Sequence, residues 1–315
     1  MNAPDRSDIV PPVGGGLRRR LRVSPAGAAR VDLAGIDPRG TPGLPDLTVT
    51  GADRKSWARD QVRAVGAELA RQQEMLHASA KVDPSDGRRV LLVLQAMDCG
   101  GKDGTVKRVA GAMNPLGLRI TAFGPPTDEE LAHHFLWRIR RAVPAAGQVG
   151  IFNRSHYEDV LIARVESLVP EETLRTRYDE INVFERELAD QGVTLVKVML
   201  HISKDEQRDR LLERLTDPRK HWKYDPADVA ARARWDDYQA AYAEALGRCG
   251  TEAAPWYVVP ADRKWYRDWA VAHLLRETFA TFDLGYPPAT VDLERERRRL
   301  LTGWADQGER RVNDA

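Results

Sequence analysis

The sequence predicts an α/β chain, a three-layer α/β/α arrangement with a parallel sheet at its centre and a helical lid over the strand ends. Three observations carry this. Short aliphatic runs alternate with longer segments of helical periodicity, the pattern of a parallel sheet covered on both faces. The first of these runs, 90–94, passes directly into a glycine-rich turn and an amphipathic segment, VLLVLQAMDCGGKDGTVKRV over 90–109. A charge-dense helical pair, 203–246, follows the longest aliphatic run.

Composition sets the bounds. The chain has 315 residues, 42% of them hydrophobic and 30% charged, enough for a well-filled core. Its net charge is +1, so a polyanion would have to be bound by a local basic site and not by the bulk field. Nucleic acid is not an expected partner. There are two cysteines, Cys99 and Cys249, with neither metal spacing nor a disulfide framework, which fits a reducing cytoplasm. No apolar run approaches the roughly 20 residues of a membrane span, and the first residues lack the apolar core of a secretory signal.

The elements are expected in this order. Residues 1–52 form an extended arm rich in Pro, Gly and Arg, with a basic cluster at Arg18-Arg19-Arg20 and Arg22, and 21–47 drape over the core as a strap. A long helix over 53–79 carries Ala58, Val62, Val65, Leu69 and Leu76 at helical spacing. It closes at the turn Pro84-Ser85-Asp86-Gly87, before the first strand. A strand at 118–123, a helix over 128–142 and a strand at 148–152 come next. That third strand ends abruptly in the polar run Asn153-Arg154-Ser155-His156-Tyr157-Glu158. In open α/β sheets ligands bind at the carboxyl ends of the strands, so this run is a site candidate.

A helix over 171–191 leads to a strand at 193–202, and Ser203 caps the charge-dense segment 205–215. Asp217-Pro218 breaks that segment, and a second helix spans 226–246. Arg210 and Arg214, like charges at i,i+4, favour an anionic ligand over a solvated face, and the pair reads as a hinged lid. A strand at 256–259 and a helix from 261 to 279 finish the core. The main domain is thus 53–285, with the lid at 203–246 inside it, and 286–315 form a peripheral helix and tail.

The chemistry starts from the loop. Gly100, Gly101 and Gly104 permit a tight anion nest, and a helix starting near Lys102 aims its N–H groups at a phosphate. Lys102 reaches phosphate oxygens. Asp103 and Thr105 complete the set of loop contacts. The match to the usual P-loop pattern is imperfect: Ala96 takes the first glycine position, and Asp103 stands where Ser or Thr normally follows the lysine. The third strand ends in Asn153 and not in an acid. Asp98, inside the loop, is therefore the first candidate to hold Mg²⁺ or to orient an attacking oxygen, and Glu158 is the second acid. No N-K-x-D motif is present, which disfavours a GTPase. A P-loop at the first central strand makes the fold that of a kinase, and Lys102, Arg154 and the lid arginines supply positive charge for a transferring phosphoryl group.

Five blocks in order, AMDCGGKDGT at 96–105, FLWR at 135–138, IFNRSHYEDVL at 151–161, DPRKHWKY at 217–224 and APWYVVPADRKWYR at 254–267, give the chain a resemblance to the second polyphosphate kinase family. The resemblance covers roughly residues 20 to 285. It implies phosphoryl transfer between inorganic polyphosphate and adenine or guanine nucleotides. It also implies Mg²⁺, with Mn²⁺ as the alternative, and assembly into homodimers or homotetramers. Carried over residue by residue, Asp98, Lys102 and Arg154 are catalytic. Asn153, Arg154, Tyr157 and Glu158 contact the nucleotide, while Arg208, Arg214, Lys220 and Lys223 contact polyphosphate. The block SHYEDV resembles the subgroup acting on both nucleoside mono- and diphosphates.

Two positions depart from the family pattern. His134 stands where an acid is expected before FLWR, and Ala96 replaces a loop glycine. The alternative reading is an ATP-dependent nucleotide kinase of thymidylate-kinase type, which shares the P-loop, the strand-end arginine and the basic lid. Donor choice separates the two. A polyanion-binding module without transfer fits least, because Asp98, Lys102 and Arg154 are all retained.

Overall fold

The computed structural model describes residues 16–23 and 30–302. Five strands form one all-parallel sheet in the order β2-β3-β1-β4-β5, with β1 Arg89–Gln95, β2 Leu118–Ala122, β3 Val149–Asn153, β4 Val193–His201 and β5 Trp256–Pro260. All five expected strands are present, within two residues at each end.

The reason β1 is central lies in its alternation. Val90, Leu92 and Leu94 point into one core, shared with Leu69 and Leu76 of the long helix and Leu274 near the chain's end. Leu91 and Val93 point into a second core with Ile139, Phe184 and Leu188. A strand buried on both faces must be apolar at every position, and all five are fully buried. Leu92→Ala is accordingly expected to cost about 3–4 kcal/mol in chemical denaturation, with the denaturant slope unchanged.

The helices are α1 Leu17–Leu21, α2 Leu47–Thr50, α3 Arg54–Val82, α4 Lys102–Val109, α5 Asp128–Leu131, α6 Trp137–Ala142, α7 Glu158–Val165, α8 Glu171–Asp190, α9 Lys204–Thr216, α10 Pro226–Ala233, α11 Trp235–Cys249 and α12 Lys264–Phe279. Asp53 caps α3 by accepting from the Ser56 amide, as its sequence position suggests. A further helix spans 293–302 and is exposed except at Glu296, which is half-buried.

Three expectations are corrected. The single helix expected over 128–142 is two. Thr127 and Glu130 close a capping box on α5, the chain turns at 132–136, and α6 then buries Ile139 and Ala142. The expected lid of 203–246 is shorter. It breaks at Arg234, and α11 buries Trp235, Ala241, Tyr242 and Leu246 in the main core. The part above the strand ends is α9, the turn Pro218–Lys223 and α10, and only α9 contributes buried side chains. Third, α7 was not expected. Its polar first turn hides an apolar face of Val160, Leu161 and Val165.

The described part of the arm is anchored at several points. Leu17, Leu21, Leu33 and Leu44 lie in the main core. Glu277 accepts from the amides of Leu17 and Arg18, capping α1, while Arg22 forms an antiparallel bridge to Tyr257 of β5. The Val31 amide donates to Ala243 O and the Tyr266 hydroxyl to Pro42 O. Of the basic cluster, Arg18 donates to the Tyr257 hydroxyl and Arg22 pairs with Glu252 (2.7 Å). Among the described residues no helix is long and apolar enough to cross a membrane.

Candidate active site

β1 and β3 are neighbours, yet β1 connects onward to β2 on one side and β3 to β4 on the other. That is a topological switch point, and the crevice beyond the two strand ends is where an open α/β sheet binds its ligand. The glycine-rich loop leaves β1 there, and Asn153-Arg154 leave β3.

The loop turns through two left-handed residues, Cys99 (φ 63°) and Gly101 (φ 99°). Gly101 is also the N-cap of α4, and a Cβ there would run into the Arg267 guanidinium. Glycine is thus required twice over, by conformation and by the close approach of a cation. Lys102 curls back into the loop, where its Nζ donates to Ala96 O at 2.8 Å. Burial pulls its pKa below the usual lysine range, and nearby Asp98 acts in the opposite direction.

Arg154 also adopts a left-handed backbone (φ 64°), a conformation costing about 1 kcal/mol for a side chain of this kind. Its amide donates to Leu94 O, which ties it to β1. Its Nη2 donates to Asp98 Oδ1 at 2.8 Å, and its Nη1 lies 3.8 Å from Glu158 Oε2. Burial, opposed by Arg154 and Lys102, raises the Glu158 pKa. With its amide oriented to satisfy both ends, buried Gln95 donates to Glu158 Oε1 (3.0 Å) and accepts from the Ser155 amide (3.1 Å). Asp103 accepts from Asn153 Nδ2 (2.8 Å) and from Lys223 Nζ (3.2 Å). Burial alone would raise its pKa, but these two hydrogen bonds outweigh it and the pKa falls.

Side chains of α9, the turn Pro218–Lys223 and α10 line the crevice opposite the loop. Arg210, 7% exposed, donates through Nη1 to Cys99 O (2.8 Å) and through Nη2 to Ala261 O (2.6 Å), and pairs with Glu206. Arg214 joins Lys223 O (2.7 Å) to Asp228 (2.6 Å). Glu213 holds both Lys220 (2.5 Å) and Lys264 (3.4 Å). A cavity of about 560 Å³ lies between loop and lid, lined among the described residues by eight basic side chains and five acidic ones. A chain with a net charge of +1 thus concentrates a surplus of three positive charges at one crevice. Beside it, a smaller cavity of about 370 Å³ opens past Phe123 and Arg138, at the end of β2.

Asp98, Gly100, Gly101, Lys102, Asp103, Gly104, Asn153, Arg154, Arg214, Lys220 and Lys223 all line the main cavity. Four other expected site residues are not part of its lining. Tyr157 is fully buried, its hydroxyl donating to Glu185 (2.8 Å) inside the core. Thr105 is likewise buried, and its Oγ1 donates back to Gly101 O as a helix hydroxyl. Arg208 lies on the solvent side of α9 between Asp205 and Asp209. Glu158 stands behind Arg154 instead of in the cavity lining. The lining residues missed include Asp228, Lys264 and Arg267, and Arg210, read with Arg214 as facing an anion, was left out of the polyphosphate contacts. For Arg210 the signal was available: it sits four residues before Arg214, so the two share a helix face, whereas Arg208 does not. Lys264 and Arg267 stand in the block 254–267 that carries the family resemblance, but nothing in that block's own spacing points to the loop at Lys102.

Among the described residues no group of three or more His, Cys, Asp and Glu side chains is arranged to hold a metal ion. The donor set nevertheless fits Mg²⁺ bound together with phosphate. Asp98 presents one carboxylate at the cavity wall, and Mg²⁺ commonly takes one or two carboxylates plus substrate oxygens and water.

Residues 59–283 match the family model described as polyphosphate kinase 2 (PPK2). The chain is 46% identical over 269 residues to the AMP/ADP-polyphosphate phosphotransferase of Meiothermus ruber, covering 85% of this chain and 95% of that protein. It is 38% identical to the ADP-polyphosphate phosphotransferase of Rhodopseudomonas palustris, over 79% and 90% of the two chains. The crystal structure of polyphosphate kinase 2 from Arthrobacter aurescens superposes with a TM-score of 0.85 at 47% identity, covering 93% of this chain and all of that one.

Proposed function

This chain belongs to the polyphosphate kinase 2 family, and from that premise we propose how its crevice moves a phosphoryl group between inorganic polyphosphate and AMP or ADP. The activity is that of a polyphosphate:AMP/ADP phosphotransferase. The observation that carries the residue roles is the convergence of Lys102, Arg154 and Asp98 at one switch-point cavity whose lining is positive in a nearly neutral chain.

Phosphoryl transfer asks for in-line positioning and for charge spread over the transferring oxygens. The nest of 98–101 and the first amides of α4 receive the phosphate, with Lys102 beside them. Arg154 reaches the same group from β3. The lid side chains Arg210, Arg214, Lys220 and Lys223, with Lys264 and Arg267 of α12, take the polyphosphate chain. The smaller cavity, with the Phe123 ring and Arg138, suits the acceptor nucleotide. Asp98 would hold Mg²⁺, with Glu158, which stands behind Arg154, in second place; when bound, the metal would neutralise charge on the phosphates. Arg208, Tyr157 and Thr105 have no part in substrate contact in this reading.

Lys223 is the side chain to watch on closure. It now pairs with Asp103, so a donor phosphate entering the cavity must replace a carboxylate that is already there. The cytoplasm, where nucleotides are held, is the compartment this reading favours, and both cysteines are free and buried. Assembly into homodimers or homotetramers is also part of it.

The test is a donor-by-acceptor panel with Mg²⁺ and product chromatography. AMP with polyphosphate should yield ADP and then ATP. Transfer from ATP to AMP or another nucleotide, with none from polyphosphate, would overturn the reading in favour of an ATP-dependent nucleotide kinase.

A further inference from the structure

Behind the turn that carries Arg154 lies a group of four polar side chains with no contact to the cavity. Lys197 of β4, Glu185 of α8, and His156 and Tyr157 from the turn are all fully buried. Lys197 Nζ donates to Glu185 Oε2 (2.5 Å), to the Tyr157 hydroxyl (2.7 Å) and to Cys249 O (2.7 Å), so all three of its protons are used. The Tyr157 hydroxyl in turn donates to Glu185 Oε1 (2.8 Å), and His156 Nε2 lies 3.2 Å from the same oxygen. The Tyr157 and Trp256 rings pack edge to face, with the ammonium about 5 Å from each ring centre.

Stability alone does not account for this arrangement. Replacing a buried ion pair by apolar groups of similar volume is often neutral or stabilising, because desolvating two charges offsets their attraction. What the pair does specify is the place of Tyr157, and Tyr157 is the residue from which α7 starts. Between Asn153 and Glu158 the chain must leave β3, pass through the left-handed Arg154 and enter a helix. Two of the six residues in that turn, His156 and Tyr157, are held by the buried group. A third, Ser155, is held by Gln95, and its Oγ accepts from the Tyr157 amide.

We propose that Glu185 and Lys197 are positioning residues which, through Tyr157, hold Arg154 and Glu158 in register with Asp98. They touch no substrate. Their effect reaches the reaction as geometry: a shift at the start of α7 displaces Glu158 and loosens the Arg154–Asp98 contact of 2.8 Å. The proposal rests on the reading above that Arg154 serves the transfer, so the experiment separates the two.

The test compares Glu185→Gln/Lys197→Met, Tyr157→Phe and Arg154→Lys with the full-length wild type, by calorimetry and by steady-state kinetics with AMP and polyphosphate. The double variant removes both charges together, leaves no lone buried charge and keeps an amide oxygen for the Tyr157 hydroxyl. It is expected to melt cooperatively while kcat falls about 100-fold, the loss that a misplacement of about 1 Å brings. Both KM values should stay within about twofold, since a group acting only on transition-state geometry moves kcat alone. A cooperatively folded double variant with wild-type kcat would overturn the proposal, as would parallel loss of melting temperature, kcat and KM. If the double variant does not fold, Tyr157→Phe decides on the same terms, with a fall in kcat of about tenfold expected from partial loosening. Wild-type kcat in Arg154→Lys would instead remove the premise, whatever the other variants do.

Discussion

Lys102→Met is expected to lower kcat by about 10³-fold, the upper end of what removing one preorganised donor costs. The lysine stands where α4 begins, beside the glycine-rich loop, and its Nζ is already fixed by Ala96 O at 2.8 Å. It needs no reorganisation when the charge on the transferring group redistributes. KM for polyphosphate should rise much less, because several other cations line the same cavity.

The fold should not suffer from this change. Burial lowers the Lys102 pKa relative to the unfolded chain, so the charged form is a burden on the native state at neutral pH. Between the depressed folded value and the unfolded one, the unfolded chain binds more protons, and stability rises with pH. Removing the charge while keeping an unbranched side chain of similar length should leave the melting temperature equal to the wild type or higher. A variant that melts normally and turns over at the wild-type rate would dismiss the assignment. One that is inactive but poorly folded would contradict the electrostatic account of the site.

The parts legible in the sequence were those governed by local pattern. The central strands were readable because parallel strands buried on two faces are almost wholly apolar, as in Val90–Leu94 of β1 and in β4 apart from Thr194, Lys197 and His201. The loop was readable because its glycines, Lys102 and the following helix are contiguous. Asn153 and Arg154 were found from the abrupt end of β3. What escaped depended on partners distant in the chain. Tyr157 stands in a polar run, and the resemblance assigned it to the nucleotide. Its partners Glu185 and Lys197 come from two later elements, and a Glu among the charges of α8 reads as a solvated residue. Arg208 was favoured over Arg210 although the i,i+4 relation to Arg214 pointed to Arg210. Helix α11 was taken into the lid because its acidic first turn conceals an apolar face of Trp235, Tyr242 and Leu246. A periodic pattern tells which face is buried but does not tell against which layer.

Asp98 gives the second large effect. Asp98→Asn preserves the size of the side chain and an oxygen for Arg154 Nη2, so only the negative charge is lost. Turnover at a fixed, moderate Mg²⁺ concentration is expected to fall about 100-fold or more, as for other losses of charge stabilisation at a transferring phosphoryl group. The signature lies in the metal titration. If Asp98 is the loop's metal ligand, the Mg²⁺ concentration for half-maximal rate moves up, and excess Mg²⁺ or Mn²⁺ restores part of the lost activity. If Asp98 only orients the acceptor oxygen, the midpoint stays where it is and kcat remains low at every metal concentration. The structure favours the first outcome. Arg154 engages one Asp98 oxygen, Asp98 lines the cavity, and Asn153, not an acid, occupies the end of β3. An unmoved midpoint would therefore require the metal to be held by the phosphates and water alone, with the loop acid acting on the acceptor.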